Sequence, residues 1–232
     1  MQPLVPIILS IQVGRPQQLG REDSPDPHDK PWVSGFYKQP VTGPVQAGRT
    51  NLAGDEQADL QHHGGVDKAV LAYSADHYAY WNERLGRGEL PFGAFGENLT
   101  IRGLDESSVC IGDTWQAGSV TFEVSQPRQP CWKLSRRWRI DDLARQVVEN
   151  GRSGWYLRVI DEGELQASQE MALVARPHPS WTVARASELM HHKKDDLAAA
   201  AELASLPQLS ASWRETLQGR IAKRQPTKQA PF

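Results

Sequence analysis

Along the first 176 residues, apolar positions fall into short runs broken by turns, at 7–13, 66–73, 99–101, 109–111, 120–124, 155–160 and 171–174. Several alternate or are rich in β-branched residues, as in Ser119-Val-Thr-Phe-Glu-Val124, and turn dipeptides such as Gly112-Asp113 and Ala117-Gly118 separate them. This period-two texture predicts a mainly β domain over 1–176, a closed or partly open barrel with a few helices. One helix is expected after Ser74, with Tyr78, Trp81 and Leu85 on one face and a stop at Gly86. Another spans 141–150, carries Leu143, Val147 and Val148, and ends at Gly151.

After Pro179 the period lengthens. Val183, Ala186, Leu189 and Met190 form one stripe in 182–193, and Leu197, Ala201 and Ala204 form another in 195–206. A third helix is expected from Ser212, with Glu215 completing a capping box and Trp213, Leu217 and Ile221 in line. The chain therefore divides into a barrel domain (1–176), a small C-terminal three-helix module (182–224) and a frayed tail (225–232). Three short helices are too few to be very stable alone, so the module reads first as a packing or homodimerisation unit. Residues 14–35, polar and proline-rich, read as an irregular surface excursion.

The 232 residues carry a formal charge of −2, which argues against wholesale nucleic-acid coating. No stretch reaches the ~20 apolar residues that a membrane-spanning helix needs. The apolar start, from Leu4 to Val13, lacks a basic flank and is broken by Pro6 and Gln12, so it does not read as a signal peptide. Two cysteines, Cys110 and Cys131, make no disulfide scaffold, and a cytoplasmic location is the expectation.

The richest chemistry lies in Ser125-Gln-Pro-Arg-Gln-Pro-Cys-Trp-Lys-Leu134. Pro127 and Pro130 stiffen the approach to Cys131, and Arg128 and Lys133 give it a positive setting that favours thiolate over thiol. Five basic residues lie between 128 and 139 before the first acid, Asp141. Three readings of Cys131 stay open here: a small buried hydrophobe, a ligand to a metal or cofactor with the basic cluster holding a phosphate, or a nucleophile. Cys110, between Val109 and Ile111, reads as core packing. Gln61-His-His-Gly-Gly-Val-Asp-Lys68 is either a tight turn approaching a ligand, with Lys68 against a phosphate, or a solvated turn whose histidines cap backbone groups. In Phe95-Gly-Glu-Asn-Leu-Thr100, Glu97 and Asn98 stand at a strand mouth, where Asn98 either bonds a planar heterocycle or closes an ordinary turn. Trp155 and Tyr156 wall a pocket or fill a core. Dinucleotide and phosphate-loop glycine patterns and a serine nucleophile elbow are absent from the sequence.

In register along the chain stand Gly54-Asp55-Glu56-Gln57, His63-Gly64-Gly65, Gly96-Glu97-Asn98-Leu99, Gly112-Asp113, Gln126-Pro127-Arg128 with Pro130-Cys131 and Lys133, and Gly154-Trp155-Tyr156. This order resembles the MOSC family, the domain found at the C-terminus of molybdenum cofactor sulfurases. The helical tail resembles the three-helix domain of a stand-alone bacterial branch. The resemblance implies a barrel-like β fold that binds molybdenum cofactor, a pterin dithiolene with a terminal phosphate, and makes Cys131 the ligand to molybdenum. It further implies reduction of N-hydroxylated compounds, nucleobases among them, with electrons from a separate flavoprotein reductase. The alternative is a non-catalytic cofactor or sulfur carrier. Pyridoxal phosphate is not expected. With Cys131 placed, Arg128, Lys133 and Lys68 are the expected cofactor anchors. His63 with Gly64 and Gly65, Asn98 and Tyr73 are expected at the pterin or substrate mouth. Base stacking by Trp132 and Trp138 remains a weaker reading, since Trp132 is better placed to shield the metal.

Overall fold

In the computed structural model, residues 5–224 are described. The frayed tail expected at 225–232 lies outside the described residues.

The chain opens with β1 (Ile7–Val13), β2 (Gln17–Leu19), β3 (Trp32–Ser34), β4 (Gln39–Pro40) and β5 (Val45–Ala47). Next come α1 (Leu60–His63), β6 (Val70–Ser74), α2 (His77–Leu85), β7 (Leu99–Arg102), β8 (Thr114–Ala117) and β9 (Val120–Pro127). Helices α3 (Trp132–Trp138) and α4 (Leu143–Asn150) precede β10 (Trp155–Asp161), β11 (Gly163–Leu165) and β12 (Ala172–Ala175). Three helices follow: α5 (Val183–His191), α6 (Leu197–Ser205) and α7 (Ala211–Arg224).

Eight strands form one curled sheet in the order β12-β8-β9-β10-β6-β7-β1-β4. All neighbours are antiparallel except β6 and β7, whose parallel pairing needs a crossover, and α2 lies on it. The curl brings the two ends of the sheet together. The Ile8 N–H donates to the Gln169 carbonyl at 3.0 Å, Ser168 N–H to Ile8 at 2.7 Å and Met171 N–H to Pro6 at 2.8 Å. The fold is therefore the β half-barrel with several helices and a helical C-terminal module that the pattern predicted. A register shift between Ile8 and Ser10 marks a bulge in β1, which turns both Ile8 and Ile11 inward although they are three residues apart.

Several expectations need correction. Residues 14–35 hold the hairpin β2–β3 and a 3₁₀ turn, Pro27–Asp29, capped by Asp26, so the excursion is ordered. Residues 109–111 are no strand. Cys110 makes a single bridge to Thr182, and its N–H is taken by Asp113 Oδ2 at 2.8 Å, which bends the segment into a turn. Helix α3, directly after Cys131, carries no clear signal in the sequence, because its seven residues offer only Leu134 and Trp138 as an apolar pair among Lys133, Arg136 and Arg137. The predicted helices stand near their expected bounds, with left-handed Gly86 and Gly151 ending α2 and α4. The cap of α7 is Ser210, whose Oγ accepts from the Trp213 N–H at 3.3 Å, rather than Ser212.

The apolar core does not divide at residue 176. Val109, Ile111 and Val124 of the barrel pack in one cluster with Trp181, Val183, Leu203, Trp213 and Leu217 of the helices. A second cluster, built on Tyr73, Tyr78, Trp81, Phe95, Leu134, Leu143 and Val147, lies under α2, α3 and α4. No helix among the described residues is long and apolar enough to cross a membrane.

Because the core is shared, Leu217→Ala is expected to cost about 2–5 kcal/mol and to unfold the whole chain in one transition. Far-ultraviolet circular dichroism and tryptophan fluorescence followed through a urea titration will have coincident midpoints.

Candidate cofactor and substrate cleft

Strand β9 ends at Pro127 and hands the chain to Arg128, which is 4% exposed. Its N–H donates to the Gly154 carbonyl at 2.9 Å, and its Nη2 donates to the Phe95 carbonyl at 2.9 Å. Its Nη1 lies 3.5 Å from the Ser153 carbonyl, so backbone and side chain of this one residue tie two loops together. Gly154 is at φ +80°, and a Cβ there would meet the Ala72 carbonyl at 2.4 Å, so only glycine allows this approach. Glu97, fully buried rather than at a mouth, accepts from Gly93 N–H at 2.8 Å, Phe95 N–H at 3.1 Å and Thr100 Oγ1 at 3.0 Å, and from the Tyr78 hydroxyl. It sets the loop that carries Phe95 and Gly96 into the cleft wall.

Pro130 then ends the extended run and Cys131 takes the N-cap position of α3 in extended backbone. The Cys131 side chain makes no capping bond, which leaves its half-buried thiol to the cleft. Helix α3 is pinned from outside. Arg136 donates to the carbonyls of His28 and Lys30, Arg137 to those of Phe36 and Gly93, and Trp138 Nε1 to Ala94 at 2.9 Å. Arg139 pairs with Asp26 at 3.1 Å. Of the five basic residues, only Arg128 and Lys133 face the cleft, and the others hold the fold.

The cleft is open to solvent, and its about 640 Å³ of empty space includes solvent at its mouth. Cys131, Arg128, Lys133, Lys68, His63 and Asn98 all line it. Residues some 70 positions apart therefore meet, because β6 and β9 both flank β10. Gly64 and Gly65 form the turn between His63 and Lys68 and are not on the lining. Asn98 makes one bond at each end of its amide, its Oδ1 accepting from Leu71 N–H at 3.0 Å and its Nδ2 donating to the Gln12 carbonyl at 3.2 Å. It clamps strands while standing on the cleft lining. Tyr73 is not at the mouth. It is fully buried behind Phe95, stacked at 4.7 Å, with its hydroxyl accepting from Trp81 Nε1 at 2.8 Å and donating to the Arg152 carbonyl at 3.1 Å. Nor does Trp132 shield the thiol: 55% exposed, it packs on Trp32 with Arg136 stacked on both rings.

Sequence reasoning missed Lys38, a fourth cleft cation. It stands between β3 and β4 in a segment without periodicity, and only its buried ion pair with Asp55 reveals it. Burial lowers its pKa, while Asp55 opposes that shift. Tyr156 lines the cleft whereas neighbouring Trp155 fills the core, as alternation along β10 requires. Burial and the nearby Cys131 and Asp55 push the Tyr156 hydroxyl up to about 12, against the opposing pull of Arg128. His63 is lowered to about 4, first by burial and then by Lys133, with Asp59 opposing and Lys68 and Arg128 adding to the shift. Among the described residues no three His, Cys, Asp or Glu side chains converge as a protein-only metal site.

His63 carries a pH signature. Unfolded, it takes up a proton near its ordinary value of 6.5; folded, it does so only near 4. The unfolded state thus binds more protons between these values, and stability falls as pH drops through that window while being unaffected above it. His63→Gln is expected to flatten this part of the dependence of the urea midpoint, compared at pH 7 and pH 4.5.

Comparison with known proteins follows the same division of the chain. The MOSC domain profile matches residues 59–172, and the YiiM-like, 3-alpha helix domain profile matches residues 181–224. The uncharacterized protein YflK of Bacillus subtilis is 39% identical over 207 residues, covering 89% of this chain and 90% of its own. Protein YiiM of Escherichia coli is 39% identical over 196 residues, covering 84% and 86%. A protein of Gibberella moniliformis named Reductase is 34% identical over 211 residues, 87% of this chain but only 35% of that protein. The crystal structure of YiiM from Geobacillus stearothermophilus superposes with a TM-score of 0.78 at 38% identity, over 93% of this chain and 99% of that one. The chain belongs to the MOSC domain family, in the branch that carries the YiiM-like three-helix domain.

Proposed function

We propose that the cleft binds molybdenum cofactor, with Cys131 as ligand to the metal, and that the chain reduces N-hydroxylated compounds using electrons from a separate flavoprotein reductase. The observation that carries this reading is the half-buried Cys131 thiol in a cleft shared with Lys38, Lys68, Arg128 and Lys133. The donor set fits such a group: one soft ligand from the protein suits a metal whose other sulfur ligands arrive with the pterin, and cationic side chains suit its phosphate. The name of the fungal relative supports the reductive direction.

When bound, the cofactor supplies the two-electron redox chemistry of molybdenum. The protein's part is to hold it and to manage protons. Arg128 is fixed by its carbonyl bonds, so its charge is preorganised rather than recruited. Reduction of R–NH–OH to R–NH2 and water consumes two electrons and two protons. His63 is neutral at pH 7 and offers a ring nitrogen that accepts a hydrogen bond or a proton, and the Tyr156 hydroxyl remains protonated and serves as a hydrogen-bond donor. Both line the cleft beside the thiol.

Protein purified from cells that make the cofactor is expected to carry stoichiometric molybdenum and to turn over a hydroxylamine with a chemical reductant. Cys131→Ala is expected to lose the metal, by elemental analysis, and the turnover with it. Metal retained without turnover in the native chain would favour the carrier role, and a Cys131→Ala protein with both intact would defeat ligation.

A further inference from the structure

The three-helix module reaches the turn beside the cleft through Asp67, a side chain that no part of the reading above uses. Asp67 sits in the 3₁₀ turn Val66–Lys68, next to the cleft cation Lys68. Its Oδ2 accepts from the N–H of Ala211, the first residue of α7, at 2.9 Å. Its Oδ1 accepts from Arg158 Nε at 2.6 Å, and its carbonyl accepts from Ser125 Oγ at 2.6 Å. The start of α7 is also stitched to β9, with Ser210 N–H donating to the Ser125 carbonyl at 3.0 Å. Asp67 thus caps a helix more than 140 positions away in sequence. It supplies an acceptor to one of that helix's orphan donors and a negative charge to the positive end of its dipole.

We infer that Asp67 is a positioning residue that transmits the docking of the three-helix module to the cleft lip, fixing His63 and Lys68 where an anionic ligand needs them. The inference rests on the reading of the cleft as an anion-binding site. The physical argument is connectivity. The lip from Leu60 to Lys68 is a four-residue helix followed by a two-glycine turn, and neither has an apolar stripe that could hold it in place. Its internal bonds, His63 N–H to Asp59 and Lys68 N–H to Gly65, are local. Asp67 connects this lip at once to α7, β9 and β10. The module is then part of the site's scaffold, not an appendage.

The test is Ala211→Pro in the full chain. Proline is well tolerated at the first helical position, so this change deletes the α7 N–H that Asp67 accepts, keeps its pair with Arg158, and leaves α7 capped by Ser210. Ala211→Gly keeps the N–H and serves as the conservative control, and Asp67→Asn removes the charge while keeping the shape. Amide hydrogen exchange of His63 and Lys68 is expected to rise about tenfold in Ala211→Pro and in Asp67→Asn, with the Ala211→Gly protein at the native rate. The affinity of the metal-free protein for inorganic phosphate, followed by nuclear magnetic resonance titration, is expected to weaken several-fold in the same two variants. Unchanged exchange at both amides in Ala211→Pro, or an equal rise in Ala211→Gly, would overturn the inference. Raised exchange together with a native protein that binds no phosphate would uphold the coupling and sink the anion-site reading instead.

Discussion

A guanidinium taken out of water must find partners, and Arg128 finds them in the backbone of two loops that would otherwise have little to do with each other. The carbonyls of Phe95 and Ser153 accept from its side chain at 2.9 and 3.5 Å, and that of Gly154 accepts from its backbone N–H. The cost of burying the charge is offset only when both loops are in place, so the residue acts as a clamp as well as a cation. Phe95, Gly96 and Tyr156 start from those loops, and Cys131 follows three residues after the clamp. The shape of the cleft and its sign of charge therefore have the same origin.

How much of this could be read from the chain depends on whether each signal was local. The alternation in β9, the turns and the helical stripes are short-range patterns, and the barrel, α2 and α4–α7 followed from them. Cys131, Arg128, Lys133, Lys68 and His63 were chosen as chemically unusual side chains in stiff or glycine-rich settings, and all five stand on one cleft. What failed was whatever depended on a partner far away. Tyr73 carries a hydroxyl able to bond a ligand, yet Trp81 and the Arg152 carbonyl already take it up, and Asn98 is held on both sides by the distant backbone of Leu71 and Gln12. Lys38 has no local pattern at all, because its meaning comes from Asp55, seventeen residues on. Arg136 and Arg137 looked like anion-binding groups, but carbonyls of three separate segments take up their donors.

The three helices show the same contrast between composition and context. By size they could not stand alone, and they do not, since Trp181, Val183, Leu203 and Leu217 complete the apolar interior of the barrel. The start of α7 adds polar contacts to the site strand and its neighbour: Ala211 on Asp67, Ser210 on the Ser125 backbone and Ser212 on Gln126. Ser125 and Gln126 belong to the strand that delivers Arg128 and Cys131.

The pinning of α3 has a mechanical side. The jaw that carries the sulfur is fastened at Lys30, Phe36, Gly93 and Ala94, so it cannot swing without breaking bonds to all of these segments at once. The α1 side is fastened to itself through Asp59 and the Lys68 contact with the His62 carbonyl, and to the rest of the fold through Asp67. Any bulky guest entering between them meets one wall held at many points and one held at few. The ligand would thus be gripped against a fixed anvil, with its orientation set by the sulfur side and its clearance set by the histidine side.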